Sequence, residues 1–211
     1  MKYRLVIFDF DGTLANSFPF FLGALDELAE RHGFRKIAPE RVDRLRHLTA
    51  RQMLDHVGLP MWKLPLVARS FMTLMNKGAG AITLFDGVGE MLAHLARAGV
   101  TLAIVTANSR ENVHRVLGPD NVRLIEHFEC GASIFGKHSR IGKVLGSSAI
   151  PAREAIYIGD QTTDAEAARR EGVAFGAVSW GYGAIEALQS LTPDELFERV
   201  RAIGRIAGSR T

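Results

Sequence analysis

The sequence predicts a three-layer α/β fold, a parallel sheet between helices, with an all-helical insertion directly after the first strand. Four short apolar runs alternate with segments of helical period, and the stretch from 16 to 85 breaks that alternation with helices alone.

The runs are Leu5-Val6-Ile7-Phe8, Leu102-Ala103-Ile104-Val105, Ala155-Ile156-Tyr157-Ile158 and Val173 to Val178. They show little polar alternation, as expected of strands buried on both faces of a parallel sheet. Each ends in residues able to do chemistry: Asp9 and Asp11; Thr106, Asn108 and Ser109; Gly159-Asp160; Ser179-Trp180-Gly181. Between them, Val88, Met91, Leu92 and Leu95 mark a helix over 88–98 that stops at Gly99. Ser109 is positioned to cap a helix running to Leu117, ended by Gly118-Pro119. Asp164 to Glu171 forms another, with Gly172 as its stop, and Thr192-Pro193-Asp194-Glu195 carries the capping-box pattern of a last helix to about Ile203. In such sheets ligands bind at the carboxyl ends of the strands, where the polar residues above fall.

From Asn16 to Phe85 no segment has strand character. Leu22, Leu25, Leu28 and Ala29 form one helical face, Val42, Leu45, Leu48 and Met53-Leu54 a second, and Leu66-Val67 with Phe71-Leu74-Met75 a third. The expected division is a core of 1–15 and 86–211 with a helical lobe at 16–85. Net charge is +3, distributed as +4 over 16–85 and −1 over the rest. A basic lobe suits an anionic substrate, and equally a solvated helical surface. No Lys/Arg block with interleaved aromatics is present, so nucleic acid is not expected as a partner.

No run approaches the ~20 apolar residues of a membrane span. The apolar start halts at Asp9, too soon for a signal peptide, so a cytoplasmic protein is expected. The lone cysteine, Cys130, allows neither an intrachain disulfide nor a thiolate cage, and is expected to be buried and inert. The seven histidines show no ligand spacing.

In Asp9-Phe10-Asp11-Gly12-Thr13 the carboxylates at i and i+2 face the same side of a strand end. Their repulsion would be relieved by a divalent cation. Gly12 permits a tight turn offering N–H groups to an anion, and Thr13 adds a hydroxyl. This is a kit for phosphoryl transfer: a carboxylate nucleophile, a second carboxyl as acid and base, and donors for phosphate oxygens. Asp160 supplies a further carboxylate, and Mg²⁺ suits a site of few carboxylates plus substrate phosphate. Asp164 would bind it through water or orient Asp160. Thr106, with Ala107 and Asn108 ahead of a helix N-terminus, offers further phosphate donors. Lys137 or Lys143 would supply the cation on the phosphate side. Lys137 is favoured, since it follows Ile134-Phe135-Gly136, a possible fifth strand.

Together these residues resemble the haloacid dehalogenase-like hydrolase superfamily, in its phosphoglycolate-phosphatase-like branch with a helical cap. Its DxDGT motif is matched by Asp9 to Thr13, its Ser/Thr by Thr106, its lysine by Lys137 or Lys143, and its GDxxxD by Gly159, Asp160 and Asp164. The resemblance implies a Rossmann-like core and a Mg²⁺-dependent phosphatase acting on a small phosphorylated metabolite. It makes Asp9 the nucleophile that forms an aspartyl-phosphate and Asp11 the acid and base. It gives the metal to the carboxylates of Asp9 and Asp160 and the Asp11 carbonyl, with the insertion closing as a cap. Asn16 replaces a common Asp, and Lys137-His138-Ser139-Arg140 a common KPxP run. Cleavage of phosphonates is disfavoured, because Asp11 is present and Val42 to Met53 contains no lysine.

Plainer readings stand beside these. Asp9 and Asp11 could shape an Asx-type turn, Asp160 and Asp164 a helix cap, and Thr106 a strand-end hydroxyl. Arg46, His47, Thr49 and Arg51 lie on a polar turn that would either meet the leaving group or serve as an exposed linker. Trp62-Lys63 would either line a pocket of the helical lobe or, the favoured reading, be a packed tryptophan with a surface lysine. A phosphomutase, or a silent binding protein on the same fold, are the competing functions.

Overall fold

The computed structural model describes residues 2–37, 50–78, 82–131 and 136–208. Val42, Leu45, Leu48, Arg46, His47, Thr49, Ile134 and Phe135 lie outside them, as do the side chains of Arg51, Met53 and Met75. The chain separates into two compact units, Met1–Asn16 with Thr83–Thr211, and Ser17–Ile82.

The first unit holds a sheet of six strands, all paired in parallel: β1 (Leu5–Phe8), β4 (Thr101–Thr106), β5 (His127–Cys130), β6 (Ala155–Gly159), β7 (Ala174–Val178) and β8 (Glu195–Phe197). Their order is β5-β4-β1-β6-β7-β8. The central β1 is wholly buried, and burying each such side chain contributes about 1.5–3 kcal/mol. Leu5, Ile7, Ala103, Val105, Tyr157 and Phe175 pack with α6 (Lys137–Ser148), α7 (Thr162–Arg170) and α8 (Ile185–Ser190) through Ile141, Val144, Ala165, Ala168 and Leu188. The alternate residues, among them Val6, Phe8, Leu102, Ile104 and Ile158, point the other way. There α4 (Val88–Arg97) lies against β4 and a 3₁₀ helix, Val200–Ala207. This is the Rossmann-like three-layer core. Parallel pairing matches Phe8 with both Ile104 and Ile158, so Asp9, Thr106 and Asp160 all emerge at the carboxyl edge.

Three expectations for the core need correction. No helix starts at Pro193: Glu195–Phe197 is an edge strand beside β7, followed by 3₁₀ turns. Asp194, instead of capping a helix, accepts the Phe175 N–H at 2.9 Å and donates its own N–H to the Phe175 carbonyl at 2.8 Å. The 16–85 stretch is bounded by strands, β2 (Ala15–Asn16) and β3 (Thr83–Leu84), paired antiparallel. The other edge strand, β5, is half-buried along its length and polar enough to escape an apolar search. Gly118 breaks α5 (Arg110–Val122) at φ 73°, ψ 163°, as its pairing with Pro119 leads one to expect.

The second unit contains α1 (Phe18–His32), α2 (Ala50–Val57), a 3₁₀ turn at Met61–Lys63 and α3 (Leu64–Gly78). Leu28, Val57, Leu59 and Val67 form its small core, and the Phe21 and Phe71 rings meet edge to face at 5.6 Å. Trp62 is 75% exposed rather than packed, because the turn after Pro60 buries none of its three residues; Leu66 is also exposed. Lys63 Nζ donates to the His32 carbonyl at 3.1 Å.

Candidate active site

Asp9 follows the central strand, and its N–H donates to the Ile158 carbonyl at 2.8 Å, which fixes the carboxylate beside the end of β6. Asp9, Asp160 and Asp164 are buried together, with one ligand oxygen from each inside a 4.8 Å group. Lys137, the first residue of α6, places Nζ 3.2 Å from Asp9 Oδ1 and 2.5 Å from Asp164 Oδ1. Asp164 Oδ2 accepts the Gln161 N–H at 3.0 Å, completing a capping box at the start of α7. Both oxygens of Asp164 are therefore engaged within the protein. Asp160 Oδ2 accepts the Tyr182 N–H at 2.7 Å. Lys143 points away, its Nζ 3.7 Å from Glu129 and its side chain 65% exposed.

In the turn after Asp9, the amides of Gly12 and Thr13 are not offered to an anion as expected. Gly12 N–H donates to the Ala15 carbonyl at 2.9 Å and Thr13 N–H to the Phe10 carbonyl at 3.3 Å. Gly12 instead sits at φ 83°, and a Cβ there would lie 2.5 Å from Asp160 Oδ2. Thr13 is wholly buried, with its hydroxyl 3.5 Å from Asp160 Oδ1. These two residues seat Asp160. Thr106 Oγ1 accepts the Asn108 N–H at 3.1 Å, which leaves its own proton to donate, and Arg140 Nη1 braces its carbonyl at 2.9 Å. Asn108 Nδ2 donates to Asp11 Oδ2 at 3.0 Å.

Burial dominates the electrostatics. It pushes Asp9 well above the usual carboxylate range, with Lys137 opposing and Asp164, Asp160 and Asp11 adding to the rise. Burial and then Asp164 push Asp160 up to about 7. Burial alone would lower Lys137, but Asp164 and Asp9 outweigh it and hold the ammonium charged, well above its ordinary value. Like charges 4 Å apart repel by about 4 kcal/mol at an effective dielectric of 20, so one ammonium cannot balance three carboxylates. A divalent cation can. Asp9 and Asp160, whose oxygens lie within that 4.8 Å group, would be the carboxylates to hold it, and a small hard cation such as Mg²⁺ suits a site of few carboxylates.

A family model described as haloacid dehalogenase-like hydrolase matches residues 6–178. The chain belongs to that family. Among relatives of this hydrolase, a phosphoglycolate phosphatase of Synechococcus elongatus is 30% identical over 196 residues, covering 92% of each chain. The tyrosine-protein kinase PtkA of Mycobacterium tuberculosis is 30% identical over 190 residues, where this chain spans only 63% of its length. A haloacid dehalogenase-like family hydrolase from Streptococcus pneumoniae shares the fold with TM-score 0.82 at 18% identity, over 96% of this chain and 97% of that one.

Sequence reasoning reached Ser179-Trp180-Gly181 but assigned the loop after β7 no role. Trp180 Nε1 donates to the Thr13 carbonyl at 3.1 Å and the Tyr182 hydroxyl to that of Ala15 at 3.3 Å, tying this loop to the first turn. Gly181 and Gly183 press on Asp160 so closely that a Cβ would overlap its side chain and its carbonyl oxygen, respectively. The Gly-aromatic alternation Trp180-Gly181-Tyr182-Gly183 was the available signal. Gly183→Ala is expected to lower stability by about 1–3 kcal/mol through overpacking and to cost up to about 10²-fold in kcat/KM by shifting Asp160. Thermal melts and steady-state kinetics check both. An unchanged melt together with unchanged kinetics would show that the contact is loose.

Proposed function

We propose that this phosphatase hydrolyses a small phosphomonoester, of the phosphoglycolate or sugar-phosphate kind, through an aspartyl-phosphate on Asp9 and with Mg²⁺. The observation that carries the reading is the buried meeting of Asp9, Asp160 and Asp164 with the Lys137 ammonium at the carboxyl edge of the sheet. Asp9 and Asp160 would hold the ion, with the Asp11 carbonyl as a further ligand. Asp164, whose oxygens serve Lys137 and Gln161, acts from behind them. Once bound, Mg²⁺ neutralises charge on the carboxylates and on the phosphate oxygens.

An Asp9 oxygen attacks phosphorus as the ester P–O bond breaks, and Asp11 passes its proton to the departing alkoxide oxygen. Asp11, now ionised, takes a proton from water. The water oxygen attacks phosphorus, the bond to Asp9 breaks, and inorganic phosphate leaves with the Asp9 carboxylate restored. Thr106 Oγ1–H and Lys137 are the donors that would steady the transferring group. The unit Ser17–Ile82 would serve as the cap that selects the leaving group, a role consistent with its insertion directly after the nucleophile.

Phosphate release from p-nitrophenyl phosphate should require Mg²⁺ and stop with EDTA; EDTA-resistant turnover would defeat the reading. The same site sets a pH dependence. Asp160 is raised to about 7 in the folded protein, facing Asp9, Asp164 and Lys137. Through this group, stability of the metal-free protein falls as pH rises from about 4 through 7, because only the unfolded chain ionises readily there. Mg²⁺ favours the ionised form. Its stabilising effect on the melting temperature is therefore expected to be largest above pH 7 and to shrink as pH falls toward 5. A pH-independent effect would remove Asp160 from the ligands.

A further inference from the structure

Every backbone group of Asn108 and its side-chain oxygen are committed. Its N–H goes to Thr106 Oγ1, its carbonyl accepts the Gly131 N–H at 3.0 Å, and Oδ1 accepts the Ser109 N–H at 2.8 Å. Asn112, one turn along α5 and 1% exposed, adds a second bond to that Oδ1 from Nδ2 at 3.3 Å. A backbone N–H only donates, so the amide orientation is fixed: oxygen toward Ser109, NH₂ toward Asp11 Oδ2 at 3.0 Å.

We infer that Asn108, held by Asn112, is the positioning residue for Asp11, and that its side-chain amide orients the acid–base carboxyl. This rests on the reading of Asp11 given above. The carbonyl oxygen is the better acceptor of a protonated carboxyl, so the bond from NH₂ to Oδ2 favours the proton on Oδ1, and it restrains the group about its terminal torsion, which is otherwise soft. The first amino-terminal turn of α5 thus sets where the leaving group must stand. With Oδ1 pinned twice, the buried amide presents only its NH₂ to Asp11, and the 3.0 Å contact names that carboxyl as its target.

The test uses leaving groups of different basicity, because only a poor leaving group depends on proton delivery. Asn108→Ala, Asn112→Ala and wild type are compared by kcat/KM on p-nitrophenyl phosphate and phenyl phosphate with Mg²⁺. Asn108→Ala should lose about 10-fold more on phenyl phosphate than on the nitrophenyl ester, part of the 10²–10⁴ that general acid catalysis supplies. Asn112→Ala, remote from the substrate, should move the ratio the same way by a smaller factor, and serves if Asn108→Ala does not fold. Equal losses on both esters, or none, would overturn the inference. Asp9→Asn run alongside separates the two readings: full turnover there defeats the nucleophile, whereas a dead Asp9→Asn with an unchanged ester ratio in both asparagine variants defeats only the Asn108 role.

Discussion

Asp9→Asn is expected to fold, and to turn over p-nitrophenyl phosphate about 10⁴–10⁶ times more slowly than wild type. Losses of this size follow removal of a covalent nucleophile whose partners act with it as a unit. The amide keeps the shape of the carboxyl but cannot take up phosphorus. Folding should survive, because the wild-type carboxylate is buried and its charge is already disfavoured by burial and by Asp164, Asp160 and Asp11. Without metal, above pH 7, the variant should melt no lower than wild type, and its melting temperature should respond less to Mg²⁺. Turnover within 10-fold of wild type would take Asp9 out of the mechanism.

Lys137→Ala should cost less turnover than Asp9→Asn but more stability. The ammonium is the cation shared by Asp9 and Asp164, and its removal leaves buried carboxylates opposed only by one another. Breaking a buried pair from one side costs about 3–5 kcal/mol, so the metal-free variant should melt well below wild type. Losing a donor aimed at the transferring phosphoryl group should lower kcat/KM by about 10²–10³. Because the folded Lys137 stays charged well above its ordinary range, the stability it contributes is constant below that range and is lost only in strong alkali. Lys143→Ala is the control. An exposed pair with Glu129 at 3.7 Å contributes about 0–1 kcal/mol, so melt and kinetics should barely move. If the two variants exchanged behaviours, the phosphate-side cation would be Lys143.

The core strands were legible because two-sided burial leaves an unbroken apolar run, and parallel pairing then carries the residue after each run to one edge. Asp9, Thr106 and Asp160 stand at that edge for this reason. The signal fails at the sheet margins. At Thr192-Pro193-Asp194-Glu195 a capping pattern and a strand entry look alike in one dimension, and pairing with β7 decided between them. The two lysines, six residues apart, could be separated only by the direction of α6 and the position of Asp164 on α7. Nor could the sequence reveal that the amides of Gly12 and Thr13 are spent on their own turn, or that the loop around Gly181 and Gly183 embraces Asp160.

The small ribbon at Ala15–Asn16 and Thr83–Leu84 has a consequence for how such a chain can diversify. Its pairing brings the departing and returning backbone together before anything between them is specified. Once those ends meet, doubling the intervening length adds only about 0.6 kcal/mol of closure entropy. The span between Asn16 and Thr83 can thus be lengthened, rewritten or exchanged at little thermodynamic penalty. The acidic pocket belongs to the same unit as the clasp, so it is built from residues outside the exchanged span.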